Sequence, residues 1–243
     1  MIKEKLFKKL SYQFAKLNAS INLKPRELVI DESTKCLCLC PHPDDESIGM
    51  GGVLSLYSTN FEVVLLTDGR KGIKNLLAQE VIKIREEEFK CAMKVANISE
   101  YSMLGAEDKK LLDCFDWFKM IDLEKYDYIF LPNIIDQHPD HKAVSLLLKK
   151  LLESGVKIKP ELQVCFYEVW STLGMVNAFV DITDAIESKK EMINCYKSQT
   201  EQKDYVYHAL GLNQYRGMLK DKKFVEAFCV LSVEDFKKMS ELY

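Results

Sequence analysis

Two short segments, far apart in the chain, hold three imidazoles and most of a carboxylate cluster. They are Pro41-His42-Pro43-Asp44-Asp45-Glu46 and His138-Pro139-Asp140-His141. Each lies just beyond an apolar run, and carboxylates placed after a buried strand are costly unless something pairs with them. A metal ion removes that cost, and His with Asp is a sensible ligand set for one. His42 and Asp45 stand three residues apart across a turn and reach a single ion, while His141 brings a third ligand from the other segment. Three protein ligands leave a position for water, the arrangement of catalytic rather than structural zinc. Zinc lowers the pKa of such a water and polarises a carbonyl, the two requirements of amide hydrolysis. Asp44, beside a ligand and not needed as one, is placed to take the water proton. His138 can stabilise an oxyanion or protonate a leaving amine. Asp140 can orient His138 by accepting its other N–H.

Singly these signals are weak, because His-Pro-Asp is common in turns and an Asp-Asp-Glu run often caps a solvated helix. Their coincidence carries the weight. The chain has four histidines, and three of them sit in these two segments. The fourth, His208, has no acidic neighbours and reads as structural.

The elements that must position these residues follow from periodicity. Strands are expected at about 35–40, 61–66, 101–104, 126–131, 162–169 and 179–182. Helices are expected from Asp45 to about Tyr57 and over 75–96, 110–121, 142–152 and about 184–196, with another at the C-terminus. Residues 2–18 read as an amphipathic helix. Gly49, Gly51 and Gly52 are expensive inside a helix and make sense where it packs very close to the sheet or a ligand. Strands alternating with helices indicate an α/β domain with a mainly parallel sheet. Ligands of such sheets gather outside the carboxyl ends of the strands. Both polar segments lie there, as do the loops Thr67–Gly72 and Gly105–Asp108.

Composition narrows the class. The length of 243 residues fits one sizeable domain. A net charge of −3 offers no basic excess for nucleic acid. No apolar run approaches the length of a membrane span, and the N-terminus lacks the apolar core of a signal peptide. The basic, amphipathic start suits packing on the domain, with peripheral membrane contact as the alternative. Eight cysteines without a CxxC pair read as reduced thiols and a cytoplasmic setting. Cys36, Cys38 and Cys40 alternate in a strand, so they face one way and act as small hydrophobes. A dinucleotide enzyme is disfavoured because no GxGxxG follows the first strand. A Mg²⁺-dependent phosphoryl enzyme would want more carboxylates and fewer imidazoles.

The two segments resemble the motifs of the PIG-L / LmbE-like zinc-dependent N-deacetylases. The first motif is matched by Pro41-His42-Pro43-Asp44-Asp45-Glu46 with Gly49-Met50-Gly51-Gly52, the second by His138-Pro139-Asp140-His141. Thr67-Asp68-Gly69-Arg70, Arg85-Glu86-Glu87-Glu88, Leu104-Gly105-Ala106-Glu107-Asp108, Tyr167-Glu168-Val169-Trp170, Asp181-Ile182-Thr183 and Tyr196-Lys197-Ser198-Gln199 are similar to further landmarks, so the resemblance spans roughly 35–200. It implies a Rossmann-like three-layer fold; residues 1–34, an N-terminal helix and extension, and the tail beyond about 200 have no counterpart in it, and 35–243 is read as one domain. It implies His42, Asp45 and His141 as metal ligands, Asp44 as general base, His138 as the residue assisting the tetrahedral intermediate and Asp140 as its partner. Arg70 and Asp108 match sugar-binding positions. The implied cofactor is Zn²⁺, with Fe²⁺ as an alternative divalent transition metal. The implied reaction removes the N-acetyl group from an N-acetylglucosamine-type conjugate, a small molecule or glycoconjugate. The alternatives are an amidase acting on a larger acyl group and a protein that binds metal or carbohydrate without catalysis. Retention of Asp44 and His138 disfavours the last, since neither is needed merely to hold zinc.

Overall fold

The computed structural model describes residues 10, 25–218 and 220–241. The helix expected over 2–18 lies outside them, Leu10 aside. The described chain runs β1 (Arg26–Glu27), β2 (Cys36–Cys40), α1 (Asp45–Leu56), β3 (Phe61–Thr67), α2 (Ala78–Val95), β4 (Glu100–Ala106), α3 (Phe115–Phe118) and β5 (Tyr128–Pro132). It continues with α4 (Pro139–Glu153), β6 (Gln163–Tyr167), β7 (Ala178–Asp181), α5 (Ile186–Cys195), α6 (Lys197–Thr200), α7 (Tyr205–Met218), β8 (Val225–Ser232) and α8 (Val233–Ser240). The eight strands form one sheet in the order β1-β7-β8-β6-β5-β2-β3-β4. All neighbours are parallel except that β8 runs antiparallel to both β6 and β7.

Strand β2 shows how five residues divide the core. Cys36, Cys38 and Cys40 point into one apolar cluster with Met50, Phe89 and Met192 of α1, α2 and α5. Leu37 and Leu39 point into the other, with Leu147 and Leu148 of α4 and Phe236 of α8. Every residue of β2 is buried, as a central parallel strand with helices on both faces must be. These are the three layers expected from the sequence.

Helix α1 lies unusually close to its neighbours. A Cβ on Gly49 would stand 2.4 Å from the Tyr167 ring, and one on Gly52 would stand 2.6 Å from Ile182. The glycines therefore serve close approach to the sheet and to the segment after β7. Glu226 of β8 accepts the backbone N–H groups of Gly52 (2.9 Å) and Val53 (2.8 Å), so α1 is also fixed by a buried carboxylate.

Several expectations need amendment. The helix expected at 142–152 starts at Pro139, because proline is well suited to the first helical position, where no N–H partner is needed. The helix expected at 110–121 breaks into a 3-10 turn and the short α3. Helix α7 and strand β8, which pairs inside the sheet, were not among the expected elements. The cysteines are not all free. Cys91 of α2 and Cys195 at the end of α5 form a disulfide, with Cα atoms 5.8 Å apart and 104 residues between them in sequence. Packing of α2 beside α5 on one face of the sheet makes that contact, and no spacing in the sequence reports it. The other six cysteines are free. Among the described residues no helix is long and apolar enough to cross a membrane.

Candidate active site

Chain order fixes where a site must form. From β2 the chain moves to β3 and β4 on one side, then returns to β5 on the other. A crevice opens at such a switch point, outside the carboxyl ends of β2 and β5. The His42–Asp45 segment leaves β2 and the Asn133–His141 segment leaves β5, so the topology delivers both to one place. The loops after β3 and β4 bring Asp68–Gly72 and Asp108 beside them.

The residues converge as follows. The His42 backbone N–H donates to Asp45 Oδ2 (2.9 Å), and His42 Nδ1 lies 3.2 Å from the same oxygen. His141 Nε2 approaches that oxygen at 3.1 Å. Ligand atoms of His42, His138 and His141 lie within 4.8 Å of one another, and those of His42, Asp108, His138 and Asp140 form an overlapping group. His141, almost a hundred residues further on, thus meets His42 and Asp45 around one point.

The donor set fits a cation. Asp44, Asp45, Asp108, Asp136 and Asp140 are all buried here, and Arg85 is a buried cation beside them. Asp45 Oδ1, Asp108 Oδ1 and both ring nitrogens of His141 are buried without a hydrogen-bond partner among the described residues. The 3.1 and 3.2 Å approaches of His141 to Asp45 and Asp136 are close but not aligned as hydrogen bonds. Such orphaned donors and acceptors are expensive unless a further group engages them. The titration behaviour agrees. Burial pulls the His42 imidazole down, but hydrogen bonds to Asp140 and Asp45 outweigh it and hold the pKa at about 10. His141 is likewise drawn down by burial and raised to about 9 by Asp45 and Asp136. The pocket calls for positive charge, which a divalent metal supplies.

Asp44 stands out by its backbone. Its φ is 123°, a left-handed conformation that non-glycine residues rarely adopt. Arg85, buried on α2, donates to the Pro43 carbonyl and to Asp44 Oδ2 (3.0 Å), and so holds the turn. Arg85 also donates to Glu88 (3.1 Å), whose carboxylate accepts the N–H and hydroxyl of Ser198. Burial pushes the Asp44 carboxyl up, and the Arg85 charge only partly offsets it, leaving it at about 6.

His138 is the N-cap of α4, and its Nδ1 accepts the Asp140 N–H at 3.3 Å. Burial and the neighbouring His42 and His141 lower its pKa. The Asp140 carboxylate does not orient His138 as expected. Its Oδ2 is 3.1 Å from His42 Nε2 but 4.0 Å from His138 Nδ1, and it accepts the Lys109 N–H (2.7 Å). Helix geometry explains this: at the second position of α4 the carboxylate faces the ring from β2 rather than its own cap.

The cavity over these groups measures about 240 Å³ and is lined by His42, Asp44, Asp45, Asp108, His138 and Arg85, among others. Asp108 accepts the Lys71 N–H at 3.2 Å. Arg70 is not part of the lining. It turns to Asp68 (Nε to Oδ2, 2.8 Å) and Glu107, and Lys71 lines the cavity instead. Sequence reasoning missed Asp136, which backs His141, and missed Arg85 as a partner of Asp44. Asp136 stands two residues before the second segment, outside its motif.

Comparison with known proteins points to one family. The family model described as "PIG-L: GlcNAc-PI de-N-acetylase" matches residues 37–152. The diacetylchitobiose deacetylase of Thermococcus kodakarensis is 27% identical over 211 residues, covering 76% of this chain and 77% of that protein. A probable N-acetyl-alpha-D-glucosaminyl L-malate deacetylase 2 of Bacillus subtilis is 26% identical over 183 residues, 68% of this chain and 83% of its own. The structure of N,N'-diacetylchitobiose deacetylase from Pyrococcus horikoshii superposes with a TM-score of 0.72 at 22% identity, covering 93% of each chain, and so shares the fold. The stretch from 37 to 152, which holds every imidazole and carboxylate of the converging cluster, is a PIG-L (LmbE-like) domain.

Proposed function

We propose that the chain is a metal-dependent N-deacetylase acting on N-acetylglucosamine-type sugar conjugates. The observation that carries this reading is the meeting of His42, Asp45 and His141 at one buried point beside Asp44 and His138. His42, Asp45 and His141 would hold the metal, with Zn²⁺ suited to this N and O donor set and Fe²⁺ the alternative. When bound, the metal would polarise the amide carbonyl and make water easier to deprotonate.

The chain's own residues do the rest. Asp44, with a carboxyl pKa at about 6, is poised to accept a proton near neutral pH. Arg85 occupies its Oδ2 and leaves Oδ1 for the proton. The water oxygen bonds to the acetyl carbon as its proton moves to Asp44. Collapse then breaks the C–N bond, and Asp44 returns the proton to the departing amine, giving acetate and a free amino sugar. His138 accepts the Asp140 N–H at Nδ1, so its neutral ring carries hydrogen on Nε2 and can donate to the carbonyl oxygen as charge develops. Asp108 is suited to bind sugar hydroxyls, whereas Arg70 acts only by supporting the loop through Asp68. The test is amine release from a panel of N-acetylglucosamine conjugates, with Zn²⁺ present and after chelation. Release that is metal-dependent supports the reading; no release from any conjugate by metal-loaded protein refutes it.

A further inference from the structure

The Cys91–Cys195 bond joins α2 to the segment after α5, and both of these reach the catalytic groups. Along α2, Arg85, Glu88 and Cys91 follow one another at intervals of three, on one side of the helix. Cys91 is bonded to Cys195. Three residues beyond Cys195, Ser198 donates its backbone N–H (2.6 Å) and its hydroxyl (2.8 Å) to Glu88. Arg85, the next residue of the same line, holds the Pro43 carbonyl and Asp44 Oδ2. The sulfur bridge is thus the outer end of a line of contacts whose inner end is the Asp44 turn.

The segment it holds has little else to keep it in place. Tyr196 is buried, and its hydroxyl donates to Glu46 in the first turn of α1. Beyond Tyr196, α6 has no buried residue. It reaches the loop after β3 through Gln199, whose Nε2 donates to the Gly72 carbonyl (3.1 Å). Gln199 and Gly72 both line the cavity over the catalytic groups. A strap tied by a few hydrogen bonds and no apolar burial belongs to the part of a structure that opens first. The disulfide restrains that opening, because it fixes the residue three before Ser198 to the residue three after Glu88.

The bond is also within reach. Cys91 is exposed, whereas Cys195 is buried. A small thiolate from solvent therefore attacks the Cys91 sulfur, the S–S bond breaks, and Cys195 leaves as a thiolate that takes a proton. A second thiol attacks the mixed disulfide at the small-molecule sulfur and frees Cys91, so that two thiols give two electrons and end as their own disulfide. Exposed disulfides are the labile and regulatory ones. Of the six free cysteines, five are buried and Cys114 alone is partly exposed. We propose that Cys91–Cys195 is a reversible redox site that governs turnover: closed, it holds the 196–199 strap against the support of Asp44, and opened by a small thiol it releases the strap and lowers activity. Its effect on turnover rests on the deacetylase reading above; the release of the strap does not.

The experiment compares the full-length, metal-loaded protein in oxidised and in reduced glutathione, in a Cys114→Ser background, well below the melting range. Thiol counting and elemental analysis verify the redox state and the metal in each sample. Reduction is expected to lower kcat about tenfold and to change KM less, since a misplacement of about 1 Å can cost about a hundredfold. Oxidised glutathione should restore it. Trypsin cleavage after Lys197 and Lys203, both exposed in the strap and just beyond it, should quicken on reduction. Cys91→Ser should match the reduced protein in both readouts and ignore glutathione; reduction of the parent protein carries the test without that variant. A structural staple alone would lower the melting midpoint on reduction and leave kcat unchanged, so unchanged kcat in verified reduced protein overturns the proposal. Lost activity without faster cleavage overturns it too, as does a bond that fails to form in oxidised glutathione. If no form releases amine, the deacetylase reading fails and cleavage alone decides: faster on reduction upholds the redox release of the strap, and equal rates overturn it.

Discussion

Replacing Lys189 with methionine tests the link between the buried frame and the active site. Lys189 is fully buried on α5. Its Nζ donates to Glu226 Oε1 (2.6 Å) and to the Ile48 carbonyl (2.8 Å). Glu226 in turn accepts from Gly52 and Val53, so the pair grips one turn of α1 from both sides. Methionine fills much of the volume but leaves the Glu226 carboxylate buried without its counter-charge. Breaking a buried pair from one side costs about 3–5 kcal/mol. The chain has 243 residues. At about 2.1 cal/mol/K per residue the unfolding entropy is about 0.5 kcal/mol/K, so the melting midpoint should fall by about 6–10 °C. Thermal melts followed by circular dichroism measure it. The double variant Lys189→Met with Glu226→Gln should recover part of the loss, because a neutral amide removes the uncompensated buried charge and its oxygen still accepts one of the two α1 N–H groups. A single-variant drop under about 2 °C, equivalent to about 1 kcal/mol, would refute the reasoning. A double variant less stable than the single would refute it as well.

Four further outcomes follow from the same contacts. Asp44→Asn should keep the metal and the fold but lose about a hundredfold or more in turnover, checked by steady-state kinetics and elemental analysis; near-normal turnover would assign the base elsewhere. His141→Ala should empty the metal site, whereas His138→Ala should keep metal and lower kcat much more than it raises KM, as expected for a donor to developing charge. Metal loss in His138→Ala would make it a ligand, a role its place within 4.8 Å of His42 and His141 permits. Gly52→Ala should cost about 1–3 kcal/mol by overpacking against Ile182, read from a urea melt. Thiol titration of denatured, unreduced protein should count six cysteines and, after reduction, eight; eight before reduction would exclude the Cys91–Cys195 bond.

The parts of the site that follow strands were legible because strand ends and polar loops are local patterns. Apolar runs at about 35–40 and 126–131 marked what became β2 and β5, and the residues just beyond them had nowhere to be but the carboxyl edge of the sheet. The adjacency of β2 and β5 was not local, yet the likeness of the two His-Pro-Asp segments hinted at it. The parts supplied by packing were opaque. Nothing in the spacing of Cys91 and Cys195 announces that α2 and α5 lie side by side. Asp140 turned from His138 to His42 because of the axis of α4, which sequence does not set. Arg70 turned outward because Asp68, two residues earlier, captured it first.

Arg85 marks the boundary between the two kinds of information. In sequence it stands in a run of charges, Arg85-Glu86-Glu87-Glu88, that suggests a solvated face. Yet Val81, Arg85, Glu88, Phe89 and Ala92 recur at intervals of three and four, and all five are buried on one stripe of α2. Two charged residues on the apolar stripe cannot be surface decoration, because burial of a charge is tolerated only with a partner. Their partners are Asp44 and Ser198. A backbone at φ 123° costs about 1–3 kcal/mol and persists only where its surroundings fix it. The Arg85 bonds to the Pro43 carbonyl and to Asp44 provide that fixing, so the out-of-place charges on α2 and the strained turn after β2 are two halves of one device. Reading the stripe rather than the run would have found it: where a charge interrupts a buried face, its partner is a candidate for the site.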